Sequence, residues 1–222
     1  MKRKIPPKPK LDRESVVQVA LRLLNEEGAE GLSLRRLAGD LHVQAPALYW
    51  HFANKQALLD AMATHVFRET FASLGLPNVR TPWQDWCRQL ASAERQMLLR
   101  YRDGARFFSG TYLTDATMYA PMEASLQKLT GDGFSLPDAL QALSTVHCYV
   151  VGFTIEEQAV WPIPGERDSR YTPEQRSTRI DSNQFPLVQQ AGDAVFASPD
   201  QRFAFGLEVI IRGLEQFHAE KL

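Results

Sequence analysis

SLRRLAGDLHVQAPALYWHFANK, residues 33–55, decides the fold. Ser33 carries a side-chain acceptor suited to an N-cap, and Leu34, Leu37, Ala38 and Leu41 recur at spacings of three and four, the period of a short amphipathic helix. Arg35, Arg36 and Asp40 take the other face. His42, Val43 and Gln44 interrupt the pattern, and Pro46, whose missing N–H is no loss in a first helical turn, opens a second helix running to about Phe52. Asn54 then caps a longer helix that begins Lys55-Gln56-Ala57-Leu58-Leu59. Two short helices joined by about three residues make a helix-turn-helix, a motif whose second helix enters the DNA major groove.

The side chains suit that task. Pro46 and the small Ala45 and Ala47 let the second helix approach the bases closely, and alanine methyls can touch thymine methyls. Tyr49, His51 and Lys55 supply a phenol, an imidazole and an ammonium for phosphates, and Arg35 a guanidinium for a base edge. Leu48 and Phe52 are expected in the core of the small head, and Trp50 fits either role.

Outward from this stretch the chain reads as helix throughout. Leu11 to Glu27 is amphipathic, with Asp12 as N-cap, Val16, Val17, Ala20, Leu21, Leu23 and Leu24 inward, and Gly28 as its stop. The helix from Lys55 to about Ala72 leaves the head and is broken at Gly75-Leu76-Pro77. Helical patterns follow at about 83–100, 114–130, 136–160, 185–196 and 200–218, with a sharp junction at Arg102-Asp103-Gly104-Ala105 and a loop at Gly110-Thr111. No alternating strand pattern of useful length appears, so the expected fold is all α, with a head at 1–60 and a larger domain at 61–222. Residues 1–10, with five basic residues and three prolines, read as a flexible arm that could follow phosphates or a minor groove, or simply be solvated. Residues 161–183 are rich in Pro, Ser and charge, and form the long non-helical stretch.

Composition narrows the function. The formal net charge is −1, but the first 60 residues hold 10 Lys and Arg against 7 Asp and Glu, net +3, which leaves net −4 for the rest. The positive excess therefore sits with the proposed DNA reader. Cys87 and Cys148 lie far apart without metal-ligand spacing, so neither a disulfide framework nor a zinc site is expected and a reducing cytoplasm fits. No apolar run approaches the ~20 residues of a membrane span, and the basic start is followed by prolines and charges rather than by a signal-peptide core. An enzyme would need a constellation that is missing: His147 and Glu156 are nine residues apart on one helix, about 13.5 Å along its axis, and no phosphate loop or nucleophile elbow is present.

APALYWHFANKQALLDAM, with LSLRRLAGDLHV before it, resembles the DNA-binding domain of the tetracycline-repressor (TetR) family. The resemblance continues through TPWQDW at 81–86, RDGA at 102–105, GT at 110–111, GFSL at 133–136, ALS at 142–144, EEQ at 156–158 and FGLEVIIRGLE at 205–215, so that it covers residues 11–218. It implies a homodimeric repressor that binds double-stranded operator DNA and releases it when a small molecule enters the second domain.

The family's drug, chelated to magnesium, lies in a cavity between those helices. By similarity the metal-binding histidine falls on Phe108, which cannot ligate, while Thr111 and the partner subunit's acidic residue, Glu156, are kept. The positions that recognise the drug are changed to Phe71, Leu90, Glu94, Tyr112 and Ser125, and His147 lies where its helix faces the cavity. No cofactor is expected, magnesium is doubtful, and the inducer is expected to be apolar or aromatic with a polar group towards Glu156 or His147. Glu94 or Glu156 could instead pair with Arg95, Arg102 or Arg106.

The dimer is expected through the helices at about 136–160 and 200–218, which are apolar on more than one face, with Leu207, Ile210, Ile211 and Leu214 as one stripe of an intersubunit four-helix bundle. The alternatives are a regulator that senses no small molecule and a small-molecule-modifying enzyme with an incidental helix-turn-helix.

Overall fold

A computed structural model describes residues 11–220 except 164, 193–195 and 197, so the basic arm at 1–10 lies outside the described residues. The head is α1 (Arg13–Gly31), α2 (Leu34–Asp40), α3 (Ala45–Tyr49) and the start of α4 (Lys55–Leu74). Its caps are local and legible. Asp12 accepts from the Ser15 N–H at 2.7 Å while the Ser15 hydroxyl accepts from the Asp12 N–H at 3.2 Å, a reciprocal capping box. Ser33 caps α2 through the Arg36 N–H, and Asn54 caps α4 through the Ala57 N–H. Gly28, with φ of 74°, ends the regular part of α1 as expected, and a further turn carries the helix to Gly31.

Within the head Val16, Ala20, Leu24, Leu37, Leu48, Phe52, Leu58 and Met62 are each at most 1% exposed, and each large member contributes about 1.5–3 kcal/mol by leaving water. The Arg13 guanidinium lies over the Phe52 ring, 4.8 Å from its centre. Between α2 and α3 the chain reverses at His42, whose φ of 53° is left-handed, and the Val43 N–H closes the turn on the Ala38 carbonyl at 3.0 Å. The second helix is shorter than the sequence suggested: α3 ends at Tyr49, Trp50 and His51 form a turn, and Phe52 follows them.

The second domain comprises α5 (Trp83–Leu99), α6 (Gly104–Phe108), a 3₁₀ turn (Ala116–Met118), α7 (Tyr119–Gly131), α8 (Leu136–Val160), short α9 (Pro173–Ser177) and α10 (Pro186–Gln190), and α11 (Pro199–Ala219). No β-strand occurs among the described residues. The 161–183 stretch is not wholly irregular, since a 3₁₀ turn (Ser169–Tyr171) and α9 lie inside it. α8 is the axis of this domain, with α5, α6, α7 and α11 packed against it, and α4 runs from the head onto α5 and α6. One apolar cluster is continuous from Val16 in the head to Ile211 in α11.

Part of the stripe expected at the dimer faces inward in the single chain. Leu207 is 5% exposed and Ile211 is fully buried within the single chain, because α11 turns this side onto α5 and α8. Ile210 and Leu214 are half-buried against the same core. The large apolar side chains more than half exposed on these two helices are Leu136 and Leu140 on α8 and Phe205 and Val209 on α11.

Candidate nucleic-acid interface and ligand cavity

Leu48 and Phe52 anchor α3 inward, and that leaves the opposite side to solvent. Tyr49 is 55% and Trp50 90% exposed, an uncommon position for a bare indole unless something else covers it. Ala45 and Ala47 are half-buried, Pro46 and Lys55 exposed, and His51 half-buried with its carbonyl facing Arg13. The two arginines of α2 differ. Arg36 is tied to Glu27 at 2.7 Å and to Asp40 at 3.5 Å, whereas Arg35 is exposed with no ion-pair partner among the described residues. Gln44, the backbone N-cap of α3, is exposed and its side chain makes no capping bond. A free carboxamide at the leading edge of such a helix suits an adenine edge. The sequence reading missed it, although its place just before the helix was visible.

The residues assigned to the ligand cavity come from five helices and, for Thr111 and Tyr112, from the loop after α6. Phe108, 4% exposed, meets Tyr101 and Phe107 edge to face at 5.5 and 5.6 Å. Ser125 on α7 is buried, accepts the Trp86 indole N–H at 3.2 Å and donates to the Pro121 carbonyl at 2.9 Å. Phe71 on α4 and Leu90 on α5 are half-buried. Glu94 on α5 has only 15% of its side chain exposed and lies 2.7 Å from His147 Nδ1 on α8, so it pairs with neither Arg95, Arg102 nor Arg106. That hydrogen bond raises the imidazole above its ordinary 6.5 against the opposing effect of burial. The stabilisation is therefore complete below the ordinary imidazole value and is lost as pH rises through the raised one.

Two expected contacts are exposed on the single chain, one of them Glu156, which is expected to act from the partner subunit. Tyr112 is 71% exposed, with its backbone N–H on Asp60 at 3.1 Å, and Glu156 is exposed on the single chain. The buried carboxylate is the neighbouring one. Glu157 grips Arg95 through two bonds of 2.8 and 2.6 Å, and Asp200 adds a third contact at 2.7 Å. Phe108, which stands where the family's metal-binding histidine is expected, offers no ligand atom, while the Thr111 hydroxyl donates to the Phe108 carbonyl at 2.7 Å and keeps its oxygen lone pairs. No cluster of three or more His, Cys, Asp or Glu able to hold a metal occurs among the described residues. Cys87 is fully buried, which pushes its thiol up to about 12 and leaves it without nucleophilic character.

The sequence reading also missed the ties that connect α6 and its neighbours to the head. The Gln158 carboxamide accepts the Ala105 N–H at 2.9 Å and donates to the carbonyls of Tyr101 at 2.8 Å and Leu98 at 3.2 Å, so α8 holds the end of α5 and the start of α6 together. From the other side Asn25 on α1 accepts the Arg102 N–H at 2.9 Å. Thr64 on α4 accepts the Thr114 N–H at 2.9 Å, and Asp60 holds Tyr112. Gly104 is required at this junction, since a Cβ there would overlap the Leu98 carbonyl oxygen. Gly104→Ala is expected to cost about 1–3 kcal/mol, measured by urea unfolding, with α6 displaced.

A sequence profile for bacterial regulatory proteins of the tetR family matches residues 16–62, and one for the tetracyclin repressor-like C-terminal domain matches residues 76–217. The tetracycline repressor protein class A from transposon 1721 of Escherichia coli is 43% identical over 206 residues, 92% of this chain and 91% of that protein. Among solved structures, a possible TetR family transcriptional regulator from Streptomyces coelicolor A3(2) superposes with a TM-score of 0.81 at 35% identity, covering 93% of this chain and all of that one. A TetR variant from Acinetobacter baumannii AYE in complex with minocycline superposes with a TM-score of 0.70 at 34% identity, covering 94% and 99%.

Proposed function

The chain belongs to the tetR family of bacterial regulatory proteins, and from that premise we propose that it is a cytoplasmic, ligand-responsive transcriptional repressor in which two copies hold one operator and let go when an aromatic inducer enters the second domain. The observation that carries the reading is the outward face of α3, where Tyr49 and Trp50 stand in solvent over a fully buried Leu48. Gln44, Ala45, Pro46, Ala47 and Arg35 would meet base edges, and Tyr49, His51 and Lys55 phosphates. No helix among the described residues is long and apolar enough to cross a membrane.

Release follows from the ties around α6. An inducer against Phe108 displaces α6, and Gln158, Asn25 and the Thr64–Thr114 bond pass that movement to α1 and α4. The two α3 helices then no longer match successive major grooves. Leu136, Leu140, Phe205 and Val209 provide the surface for the second copy, since an apolar patch of this kind is rarely left in water. Val209→Glu is expected to give monomers in sedimentation, because a charge sealed in such an interface costs several kcal/mol. A folded dimer from that variant would remove this assignment.

The DNA assignment is tested by selecting a binding site from random duplexes and titrating two variants. Lys55→Ala is expected to weaken every sequence alike and reduce the salt slope by about one unit. Arg35→Ala is expected to alter base preference, at about 1–3 kcal/mol for the contacted pair. Equal losses on all sequences from both variants would overturn the base-reading role of Arg35.

A further inference from the structure

A cleft of about 620 Å³ opens on the far side of the α5–α6 junction, and none of the nine residues assigned to the inducer cavity lines it. Its volume falls within the range of small-molecule sites, roughly 300–1,000 Å³. The apolar walls are Leu99, Tyr101, Trp161, Pro162 and Ile163. At one end Arg95 is already held by Glu157 at 2.6 Å and Asp200 at 2.7 Å, so it has no free charge to offer a ligand. At the other end Arg100 and Arg102 line the cleft, and no carboxylate pairs with either among the described residues. An apolar slot with an indole on one wall and two uncompensated guanidiniums selects a flat anion.

We propose that this cleft is a second effector site, taking a small aromatic monoanion such as an aryl carboxylate, with its ring against Trp161 and Ile163 and its charge on Arg100 and Arg102. The placement gives it leverage. Asn25 of the head lines the same cleft and holds the Arg102 N–H at 2.9 Å, while Tyr101 meets Phe108 edge to face at 5.5 Å. An occupant therefore touches α1, the α5–α6 junction and the back of the inducer cavity at once, and it changes inducer affinity and operator affinity without entering the cavity.

The test uses the full chain, 1-naphthoate as probe and naphthalene-1-methanol as its neutral counterpart, followed by calorimetry and tryptophan emission without DNA, so its outcome is independent of the repressor reading. Saturable binding of 1-naphthoate is expected, at least ten-fold tighter than the alcohol. The double variant Arg100→Gln/Arg102→Gln should lose at least ten-fold, and circular dichroism checks its fold, which two exposed side chains should leave intact. Trp161→Phe should bind but lose the emission change, since the other tryptophans lie outside the cleft. The proposal is overturned by absence of saturable heat, by equal binding of acid and alcohol, or by an emission change that survives in Trp161→Phe.

Discussion

Glu157→Ala is expected to lower the free energy of unfolding by about 3 kcal/mol, near the low end of the range for breaking a buried ion pair. Glu157 has 6% and Arg95 11% of its side chain exposed, so removing the carboxylate leaves a guanidinium largely out of water. Asp200, 88% exposed and 2.7 Å from Arg95, remains as a partial counter-charge, which keeps the loss from being larger. In a chain of this size the change corresponds to roughly 6–12 °C in Tm. Thermal unfolding of the wild type and of Glu157→Ala and Glu156→Ala separates the two adjacent acids. Glu156 is exposed on the single chain, and its loss should move Tm little. The reverse order would place the wrong carboxylate in the core.

The second large effect is a missing one. Calorimetric titration of the purified protein with tetracycline, with and without Mg²⁺, should show weak binding that Mg²⁺ alters by less than about ten-fold, since a metal that dehydrates reluctantly is offered almost no protein oxygen here. Phe108 packs against Tyr101 and Phe107 and offers no ligand atom, and Leu90 offers no hydrogen bond to a polyhydroxylated drug. Tight binding that depends on Mg²⁺ and frees operator DNA would contradict the reading and return tetracycline as the inducer.

What the sequence disclosed followed the range of the interactions. Asp12, Ser33 and Asn54 cap their helices through N–H groups three residues away, so their roles were readable from local spacing. Leu48 and Phe52 were readable as core because the head is small and its apolar stripe narrow. Direction failed where a helix is apolar all round. On α11, Phe205 and Val209 point out and Leu207 and Ile211 point in, and periodicity alone does not say which side meets the rest of the chain. Glu156 and Glu157 differ by one helical step, and only the position of Arg95 on α5 decides which is buried. Gln158 lies within the EEQ motif but its role is not visible there, because its partners, Leu98, Tyr101 and Ala105, lie more than fifty residues away.

Two copies are proposed to read one DNA site through α3, and occupancy of the second domain to end this. The direct measurement is sedimentation of a labelled, selected duplex with the purified chain, before and after adding an aromatic compound that calorimetry shows to bind and that loses affinity in Phe108→Ala. Saturation at two chains per duplex is expected, with a preference over scrambled DNA of about a thousand-fold or more at physiological salt and loss of the specific complex when the compound is bound. Equal saturation of scrambled DNA, or a complex that persists with that compound in place, would contradict it.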